Sequence, residues 1–176
     1  MRFIKLLVLS VVILGSMIFL LSLLFPSTGV VERTGVIRAP ISVVYAHVGD
    51  LKAWESWNPW TRPDTTANLV FSSPATGTGA WYSWDGKESS GKVTILDSDS
   101  AKGIHYLLDI KNARPVHGGI ELKPTADGTG TAIFWHMEIK LGMLPWWKLR
   151  GFVTDRIYGP AMESGLTKLS DICEKK

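Results

Sequence analysis

The sequence predicts an α+β fold in which a curved antiparallel sheet of about seven strands wraps one long C-terminal helix, preceded by a single N-terminal membrane-spanning helix. Three patterns predict it. Leu6 to Phe25 is nearly unbroken Leu, Val, Ile, Met and Phe, with only Ser10, Gly15, Ser16 and Ser22 interrupting. From Asn68 to Leu141 short alternating apolar runs are divided by Gly, Asp and Ser at hairpin spacing. After it, Leu149, Phe152, Val153, Ile157, Leu166, Leu169, Ile172 and Cys173 recur at helical spacing.

A membrane helix needs about 20 apolar residues, and the first run has that length with no charge inside it. A cleaved signal has a shorter apolar centre, and Ser27-Thr28-Gly29 after Phe25-Pro26 is a poor small-x-small site. The run therefore reads as an uncleaved signal-anchor. Arg2 and Lys5 precede it, which keeps residues 1–5 in the cytoplasm and sends the remainder to the periplasm or cell exterior. This divides the chain into an anchor at 6–25, a linker at 26–29 and a domain at 30–176.

Val30 to Arg38 has the branched composition of a strand, which Ala39-Pro40 stops. Pro40 opens a helix over Ile41–Val48, and a shorter one is expected over Leu51–Trp57. Six strands follow near 68–73, 79–85, 92–98, 102–112, 118–124 and 130–141. Gly159-Pro160 predicts a kink or an interruption in the final helix. A sheet with one apolar face and one long amphipathic helix buries both by curling the strands around the helix.

Alternation assigns the inner face. Ile133, Trp135, Met137 and Ile139 share one parity in the last strand, and Ile104, Tyr106, Leu108 and Ile110 share one in an earlier strand. Val93 with Ile95, Leu69 with Phe71, and Tyr82 with Trp84 are likewise assigned inward. The face is unusually aromatic. Its rings either enclose a cavity for an apolar ligand, with tyrosine hydroxyls as the few polar points, or simply fill the core.

The formal charge is +3, but two of the 19 basic residues belong to the anchor, leaving 17 against 16 acidic. No basic stripe emerges, so a nucleic-acid partner is not expected. Cys173 is the only cysteine, which excludes an intramolecular disulfide and a cysteine-rich zinc site.

Ile37-Arg38-Ala39-Pro40, Val43-Val44, Asp50, Trp54 and Trp57-Asn58-Pro59-Trp60 form an ordered set. So do Gly77-x-Gly79-Ala80-x-Tyr82-x-Trp84-x-Gly86, Gly91-Lys92-Val93-Thr94-Ile95, Gly130-Thr131-Ala132-Ile133-x-Trp135 and Gly165-Leu166-x-x-Leu169. Together, across roughly residues 31 to 173, they resemble membrane-tethered bacterial members of the START-like, or SRPBCC, superfamily, in its polyketide cyclase/dehydrase and lipid-transport group. The resemblance implies a helix-grip fold with a deep cavity, whose members bind lipids, sterols, polyketides or hormone-like molecules and only sometimes catalyse a reaction. It carries no catalytic residue over, because the matched positions are turn glycines and core tryptophans.

The expected cavity wall is Trp57, Trp60, Phe71, Tyr82, Trp84, Ile95, Tyr106, Leu108, Trp135, Met137 and Leu166. Trp57 and Trp60 either line an entrance or plug the end of the sheet. Trp146-Trp147, followed by Lys148 and Arg150, suits a membrane–water boundary or a loop closing the cavity. His105 and His136 fall on the outward parity, and the four histidines form no HExxH pair, so no metal or cofactor is expected. Arg114 beside Pro115 is a candidate for an anionic ligand head. Nucleophile-elbow, Walker and dinucleotide motifs are absent. The expected function is binding of a hydrophobic small molecule or lipid without catalysis. The alternatives are a cyclase or dehydratase using a pocket Tyr or His, and a Trp-rich protein-interaction module.

Overall fold

The computed structural model describes residues 2–61, 67–142, 144–149 and 151–175. The apolar run forms helix α1 (Arg2–Ser22), about 31 Å long at 1.5 Å per residue and exposed along its length except at Ser22. It is long and apolar enough to cross a membrane. Strand β1 (Thr28–Ile37) begins only a few residues later, so Thr28 and Gly29 belong to the sheet and not to a linker. Helices α2 (Ile41–Val48) and α3 (Trp54–Trp57) follow, the latter reduced to one turn. Then come β2 (Asn68–Phe71), β3 (Trp81–Asp85), β4 (Ser90–Asp99), β5 (Gly103–Ile110), β6 (Val116–Pro124) and β7 (Thr131–Lys140).

The strands form one antiparallel sheet in the order β1-β7-β6-β5-β4-β3-β2. After β1 the chain crosses by α2 and α3 to the far edge and meanders back, until β7 pairs with the whole of β1. Leu96 is an extra residue between the pairs Ile95–Tyr106 and Asp97–His105. Such a bulge bends its strand and increases the local twist, which helps the sheet curl. Inward parity is as expected: Tyr82, Trp84, Val93, Ile95, Ile104, Tyr106, Ile133, Trp135 and Met137 are all buried. His105 is exposed and His136 only half-buried, both on the convex side.

The Trp146-Trp147 segment is not a loop but a helical turn, α4 (Pro145–Leu149), with proline at its first position, where the missing N–H costs nothing. The long helix α5 (Gly151–Glu174) runs through Gly159-Pro160 without an interruption, so of the two expected alternatives the interruption does not occur. The reason is placement. Pro160 is exposed, so the carbonyl it leaves unpaired lies on the solvent side, while Gly159 is buried against the sheet.

There the Arg33 guanidinium on β1 occupies the space a side chain at 159 would take. Its Nη1 donates to Asp155 and its Nε to Glu163, each at 2.7 Å. Two carboxylates eight positions apart on α5 thus flank one arginine, and the bare backbone of Gly159 lets the guanidinium pass beneath the helix. A branched side chain at 159 must displace Arg33. Gly159→Val is expected to destabilise the fold by about 1–3 kcal/mol, the cost of overpacking, seen as a lower urea midpoint with unchanged slope.

Candidate functional site

Register aligns the inward side chains into rows across the sheet. The row nearest the end where α1 departs is Leu69, Trp84, Gly91 and Ile110. The next is Phe71, Tyr82, Val93, Leu108, Val116, Ile139 and Gly29. A third is Ile95, Tyr106, Gly118, Met137 and Val31. Burial changes from row to row. In the first two, Leu69, Phe71, Leu108, Ile110 and Ile139 are only half-buried although they point inward, whereas every member of the third is buried. Ile104, Ile120, Leu122 and Ile133, farther along, are fully buried too. The concave face is therefore fully covered at one end and only partly covered at the other, the end termed open below.

The seal is aromatic. Trp54 and Trp57 enter from α3 one helical turn apart and meet the sheet edge-to-face. Trp54 lies 5.3 Å from Tyr106 and 6.3 Å from Tyr82, and Trp57 lies 5.6 Å from Trp135, ring centre to ring centre. Trp60 continues the chain at 5.5 Å from Trp135 and 6.4 Å from Tyr158 of α5. Indole donors are satisfied inside the protein: Trp54 Nε1 donates to Val48 O at 2.8 Å, Trp57 Nε1 to His47 O at 3.2 Å and Trp135 Nε1 to Tyr106 Oη at 3.0 Å. Gly118, opposite Tyr106, is a glycine because the phenol ring lies where its Cβ would be.

Burial is uneven along the expected cavity wall. Trp57, Ile95, Tyr106, Trp135 and Met137 have almost no accessible surface. Trp54 and Trp57 fill the space the curled sheet would otherwise leave. Trp84 is buried at the edge of the open end, with its Nε1 donating to Ser89 Oγ at 3.1 Å. Of the remaining expected residues, Trp60, Phe71, Leu108 and Leu166 are half-buried and Tyr82 is buried. Trp146 and Trp147 are exposed on α4, and Arg114, also exposed, lies alongside Gly142 just before it. Leu69, Ile110 and Ile139 join the half-covered end without having been expected there. All three share the parity of expected neighbours, which was the signal available. Trp54 was likewise legible as a residue three before Trp57, on the same helical face.

Polar groups at this face are few. The Tyr106 hydroxyl oxygen is taken by Trp135. Burial pushes the Tyr82 phenol up to about 12, a shift that Thr61 partly opposes. The Thr61 oxygen is itself buried and makes no well-formed hydrogen bond among the described residues. Burial raises Tyr106 as well. A separate shallow depression of about 280 Å³ lies toward the convex side beside Thr34, Val36, Glu121, Lys123 and Phe134, where Lys123 pairs with Glu121 at 3.7 Å.

Two outcomes follow from this packing. Gly118→Ala is expected to force the Tyr106 ring aside, breaking its bond with Trp135 and costing about 1–3 kcal/mol in a denaturant titration. The second concerns pH. An unfolded phenol ionises near pH 10 and the folded Tyr82 near 12, so between these values the native state holds a proton the unfolded state has lost. The contribution of Tyr82 to stability should be constant below about pH 9, fall through pH 10 to 12 and level off above, in urea midpoints measured against pH.

Comparison with curated protein sequences found no match. Residues 28–174 match the family described as polyketide cyclase / dehydrase and lipid transport. Among solved structures, a protein from Chromobacterium violaceum superposes with a TM-score of 0.59 at 16% identity, covering 84% of this chain and 99% of that one. One from Thermobifida fusca gives 0.60 at 20%, covering 80% and 90%. DynU16, described as a putative protein in the dynemicin biosynthetic locus, gives 0.58 at 15%, covering 84% of this chain and 48% of its own. At these identities the structures speak for the fold alone. With the family match spanning the whole domain, from the start of β1 to the end of α5, the chain belongs to the polyketide cyclase/dehydrase and lipid transport family of the START-like superfamily.

Proposed function

We propose that this protein binds a hydrophobic small molecule or lipid at the open end of its concave face, on a domain tethered outside the cytoplasm by α1. The observation that carries this reading is the burial gradient: inward-pointing Leu69, Phe71, Leu108, Ile110 and Ile139 keep accessible surface while the rows behind them keep none. Apolar side chains aimed at a concavity and left half-covered favour an apolar guest, worth about 25 cal/mol for each Å² removed from water. The Tyr82 hydroxyl and the buried Thr61 hydroxyl are the polar points available to orient one end of such a guest. Family membership supports the same ligand class.

The main competing reading, a cyclase or dehydratase, has a specific difficulty. His105 and His117 are exposed, His47 is half-buried on α2, and His136 lies on the convex side. Proton transfer at the face would fall to Tyr82 or Tyr106, and both phenols are held protonated well above neutral pH, so neither is a base there.

Organic extraction of the purified full-length chain, followed by mass spectrometry, should recover an apolar compound. Leu108→Trp, which fills the half-covered position without touching the sealed rows, should lower affinity for a displaceable apolar dye by about tenfold or more, the equivalent of roughly 1.4 kcal/mol, while leaving the circular dichroism spectrum unchanged. Empty extracts together with no dye binding would overturn the reading.

A further inference from the structure

α1 does not simply hang from the domain. Lys148 of α4 is buried, and its Nζ donates to Ser22 O at 2.7 Å and Phe25 O at 3.0 Å. These carbonyls lie at the C-terminal end of α1, where Ser22 O also accepts from Phe25 N at 3.2 Å and the helix dipole is negative. An ammonium there satisfies the helix end and fastens it to the domain at once. A second tie lies alongside, Leu141 N donating to Ser27 O at 2.8 Å. The five residues 23–27 between α1 and β1 span at most about 17 Å when extended, and with both ties formed the domain has little freedom to swing.

The surface held at that point is apolar. Leu144, Trp146 and Trp147 around α4, and Val153 and Ile157 on the first turns of α5, are exposed, Trp146 at 59%. Away from α1 and this region, exposed large apolar side chains such as Val36, Val43, Val70 and Leu96 are dispersed over other elements. Exposed Arg114, Lys140 and Arg156 accompany the patch, with Asp109 and Glu138 as nearby acidic groups. Amphipathic tryptophans with basic neighbours beside the exit of an apolar helix have the composition of a membrane interface. The half-covered row of Leu108 and Ile139 lies at the same end of the sheet, since Ile139 pairs with Gly29 at the start of β1.

We propose that Lys148 locks the domain onto the end of α1 so that α4 and the open end of the concave face rest on the bilayer that α1 spans. The occupant of the Trp146-Trp147 surface is then lipid, and a ligand of the concave face would exchange with the membrane without crossing water. The proposal rests on α1 being a membrane span, and its route for ligand rests on the binding function above.

The test uses the full chain with Cys173 replaced by Ala, reconstituted into vesicles of phosphatidylcholine and phosphatidylglycerol. An environment-sensitive fluorophore is attached at Trp146→Cys or, as a reference at the far end of the sheet, at Asp127→Cys in the β6–β7 hairpin. Expected are blue-shifted emission and protection from aqueous iodide at 146, solvent-like behaviour at 127, and loss of the protection at 146 in Lys148→Met. A label at 146 as exposed as that at 127 overturns the proposal whether or not Lys148→Met folds. Protection that persists in a folded Lys148→Met protein overturns the clamp, and protection that grows with protein density in the vesicles assigns the surface to a second copy. Recovery of a bound compound from detergent-purified protein whose 146 label is solvent-exposed would remove the docking and leave the binding function standing. A docked label with empty extracts would do the reverse.

Discussion

The packing of two tryptophans from a single helical turn against the rings of the sheet is the contact on which the rest of this molecule depends. A seven-stranded sheet curled in one direction has more concave area than one helix can cover, and α5 lies chiefly along β1 and the residues next to it. Trp54 and Trp57 supply the missing volume, each ring meeting a partner edge-on at 5.3 to 6.3 Å. Edge-to-face contacts of this kind contribute about 0.5–1.5 kcal/mol each beyond the area they bury. Because every indole nitrogen in the group finds an acceptor, the filling carries no unsatisfied donor into the core.

The same packing makes the two ends of the concave face different. α3 is one turn long and its rings reach the middle rows, so the row through Phe71, Leu108 and Ile139 is left partly uncovered. On the β1 side α5 cannot shift to cover it, since the Arg33 guanidinium beneath Gly159 and its pairs with Asp155 and Glu163 set the helix against the strand. Under the binding function proposed above, the sealed rows supply stability and the half-covered rows retain surface for a guest. That opening lies at the strand ends beside the exit of α1.

Much of the scaffold was legible along the chain. Alternation placed Tyr82, Tyr106 and Trp135 inward and His105 and His136 outward, because a strand has only two faces and a buried side tolerates no slip of one residue. The bounds of the strands and the single long C-terminal helix followed from the same periodicities. The site was legible only in part. Parity says that a side chain points inward, but not whether another element covers it, and so Trp135 and Leu108 looked equivalent although one is closed over by Trp57 and the other is half-open. At Pro160 the chain signalled a kink or an interruption, and the helix continues because the proline faces water.

Periodicity, turn residues and the uncharged apolar run by themselves determined that this chain has a long apolar N-terminal helix, a meander of strands with one apolar face, and a terminal helix to lie against that face. Those are local properties, set by backbone geometry and side-chain alternation within a few residues. Tertiary structure alone decided that β1 pairs with β7, that the tryptophans of α3 fill the middle of the concavity, and that Lys148 reaches the end of α1 from more than a hundred residues away. The physical reason is that these contacts join residues whose separation along the chain carries no periodic signal, and their geometry exists only once the sheet has curled.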